Sequence, residues 1–352
     1  MSGHLTAARM KAPRADVPVA MKWAKAAGWA LFWMMSTVLA GDYAFITSPR
    51  VMELVNARRT PPADWRERSG AVFVNEAWEK DPGVVWYVEM QRDGGRWVES
   101  GLAHGNTEAV EWGLKQLEWG FARMKEDGSF DCGDPFHSAS FLVETSARSI
   151  LLIEASPMAD RFKPRLEGLK RPLLMGARWI ASPANHRAAE SQRIYGHRRF
   201  LLGCGLAQCA RIHDDEALRR TAAYFIEDGV RMQRGDGAFP EKGGHDSSYH
   251  AVALIYLQRI LLLTPEESRP PSWTDAARRG ADWLASRIDT RGVVGVKGNT
   301  RTGSGQEVGR SGRPKTVNRP EVATALLYRG RLGGGEKFDQ LATLVLRAPA
   351  DS

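Results

Sequence analysis

The sequence predicts an all-α chain built from stacked helical hairpins, and three observations carry that prediction. Apolar residues recur at helical spacing, as at Val110, Leu114, Leu117 and Phe121. Helix-ending turns fall at Asp127, Ser182, Asp236 and Thr290, with gaps of 55, 54 and 54 residues, and a fixed period of this kind marks repeated helical units. Helices after three of the turns also align. Asp134, Ala139 and Leu142 match Asp246, Ala251 and Leu254, and both sets match Asn318, Ala323 and Leu326. Each set has a capping residue, then a small residue that permits close helix packing, then a leucine. The unit at Ser182 lacks this pattern in clear form.

Taken in order, the chain first shows a basic segment, 21–25, and an apolar run, 26–40, that ends in Val-Leu-Ala before Gly41. This pattern predicts a secretory signal peptide over residues 1–40, with Met21 as an alternative start and an uncleaved anchor as the competing reading. The run is too short for a comfortable membrane span. The expected location is therefore secreted or periplasmic, with no membrane contact after cleavage. Residues 41–100 read as an irregular N-terminal arm, with short strands or loop packing over 71–74 and 84–90 and a turn at 91–95. The helical body covers 101–332. Asn106 or Thr107 caps its first helix, and Glu108 favours the positive end of the helix dipole. Further helices are expected over 136–154, 173–181, 199–212, 217–232, 247–263, 276–288 and 321–328. Asp246 caps the helix of 247–263, and the acidic run at 213–216 reads as a solvated cap. Residues 333–352 form a tail or a final helix.

Composition bounds the function. The 352 residues are 43% hydrophobic and 26% charged, as in an ordinary globular protein. The formal charge is +8, and removal of residues 1–40 leaves 44 basic and 40 acidic residues, a net +4. That excess is compatible with an anionic ligand. Nucleic acid is not expected as a partner, because there is no compact Lys/Arg block, zinc-finger spacing or RNA-binding signature. The three cysteines, Cys132, Cys204 and Cys209, have neither a CxxC nor a paired metal spacing. No metal and no cofactor is expected. Twelve tryptophans serve either a core or sugar stacking.

Helical hairpins with Asp-Gly-x-Phe turns, here at 127–130 and 236–239, resemble the α/α toroid. That architecture is shared by terpenoid cyclases, many polysaccharide lyases and several glycoside hydrolases. The resemblance covers roughly residues 105–330. It implies an incomplete α/α barrel whose second helices form an inner ring, with their N-termini gathered at one mouth. It is a resemblance of architecture. Neither an Asp-rich cyclase motif nor the Asn-His-Ser-Tyr motif of one alginate lyase group is present.

In that frame the residues three after each cap, His137, Tyr249 and Glu321, face one mouth with Asp134, Asp246 and His250. They form the candidate catalytic set, although both aspartates are also plain N-cap residues. Asn185, His186, Tyr195, His197 and Arg198 cluster in the unit that breaks the repeat and are candidate substrate-binding residues. The loop 292–319 holds Lys297, Arg301, Arg310, Arg313, Lys315 and Arg319 against one acid, Glu307. It reads as a lid that clamps an anionic chain or as a solvated loop, with Arg301 and Glu307 as its candidate contacts. The favoured function is a polysaccharide lyase that cleaves a uronate-containing polysaccharide or oligosaccharide by β-elimination. Tyr249 with His137 or His250 would move protons, and Asn185, Arg198 or Arg301 would hold the carboxylate. The alternatives are a glycoside hydrolase using paired carboxylates among Asp134, Asp246, Glu241, Glu307 and Glu321, and a non-catalytic glycan- or partner-binding domain.

Overall fold

Helices make up the regular structure, and no strand occurs among the described residues. The computed structural model describes residues 40–56, 59–303, 305–309 and 313–349, all within the compact unit Ser36–Ser352. In chain order the helices are α1 (Ala40–Tyr43), α2 (Pro49–Val55), α3 (Val74–Lys80), α4 (Asp93–His104), α5 (Thr107–Phe121), α6 (Pro135–Glu154) and α7 (Ala159–Ile180). They continue with α8 (His186–Ser191), α9 (Gly196–His213), α10 (Glu216–Arg231), α11 (Ser247–Leu263), α12 (Pro271–Ser286), α13 (Arg319–Arg329) and α14 (Glu336–Arg347). The signal peptide expected over 1–40 lies outside the described residues but for Ala40, as does Arg310 of the basic loop.

Two kinds of helix alternate. α6, α9 and α11 are buried on nearly every side. α7, α10, α12 and α14 bury one stripe and wet the other face, the pattern of helices that cover a core. Each covering helix lies on the inner helix before it: α5 on α4, α7 on α6, α10 on α9, α12 on α11, α14 on α13. The inner helices pack side by side, α4 on α6, α6 on α9, α9 on α11 and α11 on α13, and α2 links α13 back to α4. Ala139, Ala251 and Ala323 are all fully buried.

One turn recurs between a covering helix and the next inner helix. Asp127, Asp236 and Asp289 each accept a backbone N–H two residues on, at 2.9, 3.0 and 2.9 Å. Gly128, Gly237 and Gly292 follow with positive φ, and a Cβ on any of them would collide with the carbonyl of Met175, Arg279 or Leu344 respectively. Only glycine fits there.

Several expectations are corrected. The strands expected over 71–74 and 84–90 are absent; residue 74 begins α3 and residues 88–92 form a 3₁₀ turn. Buried side-chain amides do the work of a sheet partner. Asn75 bonds both the N–H and the C=O of Tyr87, at 3.0 and 2.9 Å, and Gln91 donates to Gly70 and Gln116 carbonyls at 2.8 and 2.7 Å. The helix expected from 173 starts at Ala159 and runs through Pro164 and Pro172. Its buried stripe of Phe162, Leu166, Leu169, Leu173, Ala177 and Ile180 outweighs the prolines. The arm drawn over 41–100 ends inside α4. Caps form as expected at Asn106, Asp246 and Asn318, and Asp215 caps α10. Asp134 does not cap α6: it sits in left-handed conformation, φ 46°, and makes no cap hydrogen bond.

Candidate active site

The inner helices surround a cavity of about 750 Å³, within the size range of small-molecule sites. Its mouth lies among the N-terminal ends of α6, α9, α11 and α13 and the loop before α13. Its depth is lined by Glu144, Arg148, Tyr256, Arg259 and Tyr328. Eight Arg or Lys and five Asp or Glu line it, so positive charge prevails.

Seven expected site residues share this wall: Asp134, His137, Tyr249 and Glu321 of the catalytic set, and His197, Arg198 and Arg301 of the binding set. The tightest group forms where α9, α11 and the loop meet. His197 Nδ1 lies 2.8 Å from Glu241 Oε2, and Arg301 donates to Glu241 Oε1 at 2.7 Å. Arg301 also donates through Nε to Glu307 at 3.0 Å. Its guanidinium stacks 3.7 Å from the centre of the Tyr249 ring, whose other neighbours are His197, 5.0 Å between ring centres, and the Lys315 ammonium at 5.4 Å. Burial pushes the Glu241 carboxyl up, but His197 and Arg301 more than offset it and hold it below its ordinary value. Glu241 therefore stays ionised. With Glu241 at Nδ1, the ring nitrogen of His197 left for other partners is Nε2.

Glu321 stands apart from this group. A third of its side chain, 33%, meets the cavity, 4.0 Å from Arg96. Partial desolvation on the cavity wall raises its carboxyl above the ordinary value, against the pull of Arg92 and Arg96. Arg198 lies over the Tyr195 ring at 4.3 Å, and its Nε is buried with no hydrogen-bond partner among the described residues. Desolvation lowers its pKa. His137 packs edge-on to Phe141, with ring centres 4.8 Å apart.

The other expected site residues fall outside the wall. Asp246 is fully buried behind it. Besides capping α11, it accepts the backbone N–H groups of Arg301 and Thr302 at 2.9 and 2.8 Å, so it anchors the loop that carries Arg301. His250 is locked in the core. Its Nδ1 accepts the Phe239 N–H at 3.0 Å, and its Nε2 lies 2.8 Å from the Gly280 carbonyl. Burial lowers its pKa to about 4, so it is neutral and committed to structure. Asn185 donates to the Trp179 carbonyl at 2.6 Å, and His186 is exposed at the start of α8. Tyr195 backs Arg198 and Arg301. Glu307 is held by Lys242, Lys315 and Arg301. Burial pushes its carboxyl up, but these three cations bring it down to about 2.

Sequence reasoning missed the inner half of the cavity. Glu144, Arg148 and Arg259 stand on α6 and α11, where they interrupt otherwise apolar or small stretches. A charge inside a buried helix was the available signal. Glu144 accepts from Arg148 Nε and Arg259 Nη1, both at 3.0 Å, and Arg148 also pairs with Glu99 of α4. Desolvation raises the Glu144 pKa despite Arg259, and it lowers that of Arg148 to about 10.

Among the described residues no group of three or more His, Cys, Asp or Glu is arranged to hold a metal ion, and no helix is long and apolar enough to cross a membrane. Comparison with known proteins finds no matching family model, no similar curated protein and no similar solved structure.

Proposed function

We propose that the chain is an exported carbohydrate-active enzyme with an incomplete α/α toroid of hairpins of about 54 residues, acting as a polysaccharide lyase on a uronate-containing glycan. The observation that carries the reading is Tyr249, on the cavity wall between the Arg301 guanidinium and the His197 ring. The circuit of inner helices supports the toroid, and the excess of Arg and Lys in the cavity supports an anionic substrate.

The chemistry follows from the residue types. A uronate carboxylate is held by Arg198, whose Nε has no partner among the described residues, with Arg313 and Lys315 at the same mouth. Neutralising that carboxylate acidifies the adjacent C5–H. Arg301, stacked on Tyr249 and tied to two carboxylates, holds the phenol ring in place on the wall. Tyr249 or His197 Nε2 takes the C5 proton, the C4–C5 double bond forms, the C4–O bond breaks, and the leaving oxygen takes up a proton from the same pair. Glu241 holds the His197 ring in orientation throughout.

Glu321 favours glycoside hydrolysis as the second reading, because a carboxyl with raised pKa on a cavity wall can donate a proton to a glycosidic oxygen. Incubation with a panel of acidic and neutral glycans separates the two. Unsaturated-uronate absorbance appearing together with reducing ends is expected. Reducing ends without absorbance would replace elimination by hydrolysis. Tyr249→Phe is expected to lower kcat by about 10²–10⁴-fold with an unchanged thermal midpoint; full activity in that variant would remove Tyr249 from the chemistry.

A further inference from the structure

We propose that the cavity is a blind pocket that receives the end of an acidic glycan chain, so that the protein works from chain termini rather than within chains. This rests on the glycan-cleaving reading above and adds how the same site receives its substrate.

The mouth opens among helix starts, while the opposite end is filled by the chain's own residues 42–46. Asp42 accepts from Arg269, just beyond α11, at 3.1 Å, and pairs with Arg331, just beyond α13. Tyr43 is buried, and its hydroxyl accepts from Gln208 Nε2 of α9 at 2.8 Å. Phe45 meets Tyr328 edge-on, ring centres 6.5 Å apart, and Ile46 is fully buried. This segment is thus tied to α9 and to the far ends of α11 and α13. A chain threading the cavity would have to leave through Tyr43 and Ile46.

Directly above the plug lies the layer of Glu99, Glu144, Arg148 and Arg259. All four line the cavity, as does Tyr328, which packs on Phe45, while Tyr43 does not, so the plug closes the space just beyond this layer. Tyr249 and Arg259 stand on one helix ten residues apart, which at about 1.5 Å per residue is about 15 Å. A chain entering past Tyr249 advances about that far and no farther. The layer suits a hydroxyl-rich terminal unit. Two carboxylates accept, two guanidiniums donate, and Arg259 Nε is buried with no partner among the described residues, a donor that a ligand hydroxyl would satisfy. Charge is balanced at this depth, so the excess of cations lies nearer the mouth, at the level where Tyr249 would meet the uronate.

The test uses the full chain and size-graded oligomers of galacturonate, mannuronate/guluronate and glucuronate-containing glycans. Products are followed from the earliest time points, and binding stoichiometry to Tyr249→Phe is measured by calorimetry. End recognition predicts one short product size from the start and one protein bound per chain at every length. A ladder of intermediate sizes, or stoichiometry that rises with chain length, would overturn the blind pocket while leaving lyase or hydrolase action intact. Length-independent binding with no cleavage by the wild-type chain would uphold end recognition and remove the catalytic reading. Absence of binding by every acidic oligomer would overturn both. Tyr43→Ala is expected to add longer products to the wild-type pattern, while an unchanged single product in a folded Tyr43→Ala chain would show that residue 43 does not set the limit.

Discussion

Glu241 at the mouth and Glu144 at the floor are both buried carboxylates held by arginine, yet their proton affinities move in opposite directions. Glu241 lies below its ordinary value because His197 and Arg301 more than offset its burial. Glu144 lies above its ordinary value although Arg259 and Arg148 both donate to it. The surroundings explain the difference. The mouth is assembled from helix starts and a loop, and there Glu241 gains two charge partners, one on each carboxylate oxygen. The floor is made by side chains in the middle of buried helices, where desolvation is at its steepest and can exceed the attraction within the pair. Pairing charges orients groups at both ends, but at the floor, in the middle of buried helices, it costs stability and is retained in spite of that.

The largest expected effect tests the floor. Glu144→Gln leaves Arg148 with Glu99 alone and Arg259 without its carboxylate, and should cost about 3–5 kcal/mol in denaturant unfolding. A loss below about 1 kcal/mol would mean that the floor is wet and that the contrast with the mouth fails. The next effect lies in the core behind the mouth. His250 has an ordinary pKa near 6.5 when unfolded and one lowered to about 4 by burial. Its contribution to stability is full above the unfolded pKa and is lost as pH falls from about 6.5 towards 4. The total is about 3 kcal/mol, because the unfolded chain binds the proton first. Ring resonances of His250 should report a neutral imidazole at pH 5; protonation at pH 6 would show that its core site is open to water. The smallest effect on stability is expected at the mouth. Glu241→Gln leaves Arg301 its bond to Glu307, so the loss should be about 1–3 kcal/mol. The same change removes the carboxylate that orients His197 and should lower kcat by about 10–100-fold. A variant as unstable as Glu144→Gln, with normal turnover, would erase the distinction between the two ends.

Legibility in the sequence divides along the same line. The starts of α5, α11 and α13 were readable because Asn106, Asp246 and Asn318 accept hydrogen bonds from their own first turns. His137, Tyr249 and Glu321, which share an offset after aligned residues, all line the cavity. His250 and Tyr249 were indistinguishable in the sequence, being adjacent titratable residues on one helix. Their helical phase turns Tyr249 to the cavity and His250 to Phe239 and Trp283, where ring centres lie 5.2 and 4.5 Å away. The N-terminal arm misled because Val-rich segments have strand propensity, and nothing local announced that Asn75 and Gln91 would satisfy the backbone instead.

By itself the sequence determined the all-helical class and the caps at Asn106, Asp246 and Asn318, because a cap rests on contacts within a few residues of each other along the chain. Only the tertiary structure decided which polar groups meet. Glu241 reaches His197 across 44 positions and Arg301 across 60, and Glu144 reaches Arg259 across 115. Such pairs are chosen by how inner helices pack against one another and by where an exposed loop is anchored. Their proton affinities are then set by the depth at which packing leaves them, a quantity that no local pattern of residues contains.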